Sequence, residues 1–131
     1  MDSAVNYWAT LAERDLHSAR TLLAAGDTAN ALFLCQQALE KALKGVLQSQ
    51  SPEPPPRIHN LARLAEMGGL LATMPEALLG ALLEVDPYVI EARYPAAAEP
   101  SPPGSEEAAR LVSRTEEALQ WLLARLKSQP E

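Results

Sequence analysis

Apolar residues recur along this chain at intervals of three and four, the period of a helical face, in three blocks separated by proline clusters. Val5, Trp8, Ala12, Leu16, Ala19 and Leu23 make the first stripe, and Ala31, Leu34, Cys35, Ala38, Ala42 and Val46 the second. Between them Gly26-Asp27 offers a left-handed stop for one helix and a side-chain cap for the next. Residues 3–50 are therefore expected as two long helices, antiparallel because the joint is short, with Ser3 or Asp2 capping the first. The middle block predicts a short helix from His59 to Met67, stopped by Gly68-Gly69. A further helix is expected where Thr73-x-x-Glu76 reads as a capping box with Pro75 in the first turn. It runs through Leu78, Leu79, Leu82 and Leu83, breaks at Asp86-Pro87, and a last turn or two reaches Arg93. Residues 96–104 read as a flexible Pro-rich loop, and 129–131 as a tail. The last helix starts at a capping Ser105 and buries Leu111, Ala118, Trp121, Leu122 and Leu126.

The expected fold is an all-α, antiparallel up-and-down bundle of four longer helices plus a short extra one, a single domain over residues 1–131. Composition agrees. Hydrophobic residues make up 47% but aromatics only 5%, so the apolar content is mostly Ala and Leu, strong helix formers and weak strand formers. The first helix pair carries more apolar residues than one core stripe needs, with Leu32, Leu39, Leu43 and Leu47 beside the inward set. This surplus predicts a second buried face, most simply a homodimer through the first two helices.

Charge narrows the function. The net charge is −6, and none of the segments 1–50, 51–100 and 101–131 carries more basic than acidic groups, so non-specific nucleic-acid binding is not expected. No apolar run is long enough for a bilayer, and the Met-Asp-Ser start lacks an export pattern, so the expectation is a cytoplasmic, non-membrane protein. Cys35 is the lone cysteine and reads as a small core residue, which excludes an intrachain disulfide. Two histidines do not build the usual zinc sites, so neither metal nor cofactor is expected.

Polar candidates are few. Gln37, Lys41, Lys44 and Gln48 share one face of the second helix, and Glu40 precedes Lys44 by four residues, the favourable ion-pair order. A solvated stripe is the ordinary reading; phosphate or an acidic partner is the functional one. His59 follows Pro54-Pro55-Pro56-Arg57, where it can help cap the helix or, with Arg57, carry a proton or contact phosphate. Arg93 can cap carbonyls or line a cleft with Tyr88 and Tyr94. His17 lies between Arg14 and Arg20 and reads as a solvated helix residue. Trp8 and Trp121 read as core.

The order of residue types goes further than their spacing. Four stretches occur in register: Trp8-x3-Ala12-x2-Asp15-Leu16-x2-Ala19, Gln36-Gln-Ala-Leu-Glu-Lys-Ala-Leu-Lys-Gly45, Pro56-x2-His59-x-Leu61-x2-Leu64 and Tyr88-x4-Arg93-Tyr94-Pro95. Together they resemble the HEPN family of small prokaryotic helical proteins. The resemblance implies a regulatory module paired with a minimal nucleotidyltransferase, in a toxin–antitoxin-like arrangement, with nucleotide binding as a further expectation. Lys41, Lys44, Arg57, His59 and Arg93 are then the candidate phosphate contacts, with Gln37, Tyr88 and Tyr94 as cleft lining. The residue after the late proline is often acidic in the family and is Ala96 here, which counts against a polar site there. Many family members also resemble ribonucleases in which an arginine and a histidine, four to six residues apart, meet in a cleft between subunits. That spacing is missing: Arg14 precedes His17 with two residues between, and Arg57 precedes His59 with one. A non-catalytic module is therefore favoured over an enzyme, and the alternative is a ribonuclease with a degenerate site using His59 as base.

Overall fold

The joint between the first two helices fixes the rest of the bundle. In the computed structural model, which describes residues 3–89 and 103–127, α1 spans Ser3–Ala24 and α2 spans Thr28–Gln50. Gly26 takes φ +84°, its N–H donates to the Leu23 carbonyl (3.0 Å) and the Asp27 N–H to the Leu22 carbonyl (2.9 Å). This is the Schellman closure, which needs a left-handed residue that side-chain-bearing residues adopt at a cost. Asp27 then caps α2 by accepting the Asn30 N–H at 3.2 Å. Both roles are those expected from Gly26-Asp27.

Three more helices lie among the described residues: α3 (Leu61–Met67), α4 (Glu76–Val85) and α5 (Ser105–Lys127). The described residues contain no strand. Contacts fix the directions. Asp15 meets Lys41, and Trp8 lies against Gly45, so α1 and α2 run antiparallel. Gly45 also faces Leu126 while Cys35 bonds Thr115, so α2 and α5 run parallel. Arg110 pairs with Glu84 and Arg114 reaches Ala77, so α4 and α5 are antiparallel. The order is down, up, down, up, as the pattern predicts.

α2 touches all four other helices. This changes the meaning of its apolar surplus. Leu32, Leu39 and Leu43 are fully buried, and Leu47 packs on the core, all within one chain. A helix surrounded on most sides must be apolar on most sides, so the surplus needs no second subunit. Gly45 marks the tightest approach: a Cβ there would lie 3.2 Å from Leu126 and 3.3 Å from Trp8. Trp8 and Trp121 are half-buried rather than central, and the Arg125 guanidinium stacks 5.5 Å from the Trp121 ring centroid.

Helix starts differ from expectation in three places. α3 begins at Leu61, not His59, because Asn60 is the cap, accepting the Arg63 N–H at 2.8 Å. The Leu61 N–H goes instead to the Asp86 carboxylate (3.1 Å), which ties the end of α4 to the start of α3. The Thr73 capping box does not form. Thr73 Oγ1 donates back to the Leu70 carbonyl (3.4 Å), and α4 starts after Pro75 with no side-chain cap. Ser105 is already helical, since the Gly104 carbonyl accepts the Ala108 N–H at 2.9 Å. Gly69 (φ +73°) closes α3 by donating to the Glu66 carbonyl at 3.0 Å. Arg93, Tyr94, residues 96–102 and the 129–131 tail lie outside the described residues.

Two sets of outcomes follow. Gly45→Leu forces a branched side chain into an occupied gap and should cost ~1–3 kcal/mol or more in urea denaturation. Gly26→Ala has open space and should cost only the left-handed backbone term, about 1–2 kcal/mol. The Arg110 guanidinium, chiefly through its hydrogen bond, holds the Glu84 carboxyl below the ordinary range. Its stabilisation is therefore complete above the unfolded carboxylate range and lost as pH falls through the lowered value. Arg110→Ala should lower stability slightly at neutral pH and not in acid, and the neutral-pH loss should shrink with salt.

Candidate functional site

Gln36, Glu40 and Lys44 stand at intervals of four on α2 and so share one face. The proline-rich segment 51–60 returns along that face. Its turn is set by the Gln48 amide, which donates to the carbonyls of Ser51 (3.0 Å) and Glu53 (3.1 Å). Gln50 holds the far side by donating to the Gly68 carbonyl at 2.8 Å. The chain then reaches His59 beside Glu40.

Glu40 is the centre of the arrangement. Its side chain is 7% exposed, yet every partner a carboxylate needs is present. Lys44 Nζ donates to Oε2 (3.0 Å), Gln36 Nε2 to Oε1 (3.3 Å), and His59 Nδ1 lies 3.0 and 3.1 Å from the two oxygens. Gln36 Nε2 also donates to the His59 carbonyl (2.9 Å), and Gln37 Nε2 to Gln36 Oε1 (2.8 Å). A carboxylate paired with an ammonium only accepts, so we assign the Nδ1 proton to His59 on that ground. The Nε2 edge is left with no hydrogen bond among the described residues, on a side chain that is 50% exposed. Chemically this is an imidazole oriented by a buried carboxylate, able to accept a proton or, when protonated, to donate to an anion.

The other candidates divide. Lys41 is half-buried and bonds Asp15 across the α1–α2 hairpin at 2.5 Å. Lys44 is buried against Glu40. Gln37 is half-buried beside Gln36, and Tyr88 packs on the core. Arg57 is exposed and has no partner among the described residues. The structure thus brings together Gln37, Lys44 and His59 through Gln36 and Glu40, and places Lys41 in a separate pair. The local capping role considered for His59 belongs to Asn60. Gln36 and Asp15 were legible only as members of the family stretches, and Glu40 also as an ion-pair partner of Lys44. The four-residue step from Glu40 to Lys44 signals an ion pair, but nothing local tells a surface pair from a buried one.

Other chemistry-bearing groups lead elsewhere. Cys35 is buried and its thiol is pushed up to about 11, chiefly by burial, which makes it a core residue as expected. His17 is exposed, on a shallow depression of about 380 Å³ shared with Thr10, Glu13, Arg14 and Ser18 on α1. Among the described residues no three His, Cys, Asp or Glu side chains group to hold a metal ion, and no helix is long and apolar enough to cross a membrane.

A four-helix up-and-down bundle with a short third helix, whose second helix and following strap carry a Gln-Glu-Lys-His cluster, defines a class of small helical domain. The sequence profile of the HEPN domain matches residues 5–126, and the chain belongs to that family. The crystal structure of ST0689, an archaeal HEPN homologue, is similar over 93% of this chain and 97% of its own, with 31% identity and a TM-score of 0.74. That of TT1696 from Thermus thermophilus is similar over 94% and 98%, with 28% identity and a TM-score of 0.82. No curated protein shows significant similarity.

The network gives a stability prediction. Glu40→Ala strands the Lys44 ammonium in a buried position and should cost ~3–5 kcal/mol. Glu40→Leu with Lys44→Met removes both charges and should recover most of that loss. Urea denaturation of the two variants checks it; a single variant within about 1 kcal/mol of the parent would mean that the pair behaves as a solvated one.

Proposed function

We propose that the chain is a non-catalytic HEPN partner module that contacts the phosphate of a nucleotide through His59 and Arg57. The observation that carries this reading is the His59 Nε2 edge, held outward by buried Glu40, two residues from an exposed Arg57 that has no partner among the described residues. Imidazolium and guanidinium together suit a phosphate, which takes charge-assisted donors. Lys41 and Lys44 support it indirectly, Lys41 by pinning α1 to α2 and Lys44 by pairing with Glu40 from behind. Arg93, with Tyr94, stays a candidate contact on the family pattern.

Family membership supports the wider setting: a cytoplasmic homodimer that works with a minimal nucleotidyltransferase in a toxin–antitoxin-like pair. Dimerisation rests here on the family alone, since the apolar face once assigned to it is covered within one chain. A second reading is favoured by the same edge. With Nδ1 donating to Glu40, neutral His59 presents a lone pair, as a general base for a ribose hydroxyl would. That reading is a ribonuclease with a degenerate site.

Calorimetric titration with ATP, GTP and a short RNA at low salt, with the RNA checked for cleavage, separates the two. Saturable nucleotide binding without cleavage is expected. Arg57→Ala should weaken it about tenfold with an unchanged thermal melt, and His59→Ala about tenfold with a lowered one, since a donor to buried Glu40 goes too, while Lys41→Ala leaves affinity within about twofold. Cleavage that disappears in His59→Ala would replace the module with the enzyme. Sedimentation of the purified chain, alone and mixed with a minimal nucleotidyltransferase, tests the assembly.

A further inference from the structure

We infer that Glu40 is a positioning residue that fixes the direction of the His59 imidazole, Nδ1 turned to the carboxylate and Nε2 outward, so that the protonated ring presents its Nε2–H to a phosphate. The inference rests on His59 being the ligand contact and adds what makes it one. A free imidazole rotates and exchanges its proton between two nitrogens. Here three contacts remove that freedom. The His59 backbone is anchored by Gln36 Nε2 at 2.9 Å, and its ring by Glu40 at 3.0 and 3.1 Å. Glu40 cannot turn away, because Lys44 at 3.0 Å and Gln36 at 3.3 Å hold its oxygens from behind.

The arrangement separates two jobs that could otherwise be confused. The strap stays attached through Gln36 to the His59 carbonyl and through Gln48 to Ser51 and Glu53, none of which uses the imidazole. Glu40 and Lys44 therefore add little to holding the strap that these amides do not already supply. What they provide is an acceptor of fixed charge at Nδ1. Among the described residues, Glu40 meets the ring and Lys44 stands behind it on α2, while Arg57 precedes His59 by two residues on the strap.

The test is ¹⁵N NMR of the histidine ring combined with a pyrophosphate titration. In the parent chain His59 should show the Nδ1–H tautomer when neutral, and at a pH where the ring is protonated pyrophosphate should move its Nε2–H signal. In the Glu40→Leu/Lys44→Met double variant, which keeps the fold measurable, the neutral tautomer should shift toward Nε2–H, and at the same acidic pH pyrophosphate should bind about tenfold more weakly because the ring is no longer held in direction. Glu40→Gln, which keeps an acceptor, should partly restore the parent tautomer. A tautomer unchanged by the double substitution would overturn the inference even if nucleotide binds. A tautomer that moves while pyrophosphate binds neither protein would uphold the positioning role and retire the phosphate reading, so the two fail separately.

Discussion

A carboxylate taken out of water must be met by donors on nearly every lone pair, or the fold loses several kcal/mol. Glu40 meets that demand with one residue four before it, one four after it, and one nineteen further along the chain. The first two come free with a helix. The third does not, and requires segment 51–60 to fold back over α2. The proline cluster makes this feasible, because it cannot extend the helix and loses less conformational freedom on being laid flat. The buried charge thus holds the His59 ring against α2, while the Gln36 and Gln48 amides fasten the strap that carries it.

The same logic explains the bundle. α2 is the helix on which all others pack, so its residues are either apolar or individually partnered. Lys41 meets Asp15, Lys44 meets Glu40, Gln36 donates to two acceptors and accepts from Gln37, and Gly45 clears space for Trp8 and Leu126. Little of α2 is left to face water. Charges that serve only as surface pairs are found instead between α4 and α5, where Arg110 bridges Glu84 and Glu107. Those pairs are exposed and contribute little each.

How much of this was legible follows from the range of each interaction. The helices and the Gly26-Asp27 joint were readable, because periodicity and capping depend on residues within a turn of one another. The failures at Thr73, Ser105 and His59 are also local, and each came from a neighbour that satisfied the same backbone groups first: the Gly104 carbonyl, the Asn60 side chain, and the turn from Leu70 to Thr73. The site was half legible. His59 and the lysines stood out by type and by family pattern. Glu40 belongs to the same run of residues, but its burial was not readable, because a glutamate four residues before a lysine looks the same on a wet face as on a dry one. The apolar excess of α2 misled for the converse reason: periodicity counts faces but cannot say whether another helix of the same chain or a second chain covers them.

Network and site therefore share residues but not roles, and this orders their sensitivity to change. Groups behind Glu40, above all Lys44, act on stability first, since their loss uncovers a buried charge. Arg57 in front of it is exposed and can change with little effect on folding, whereas His59 stands between the two, exposed at Nε2 and a donor to Glu40 at Nδ1. A half-exposed imidazole held by a buried carboxylate is an uneconomical way to build a surface, because the same strap is already fastened by two glutamine amides. The arrangement makes physical sense if the orientation of the Nε2 edge, rather than the attachment of the strap, is what the buried charge secures.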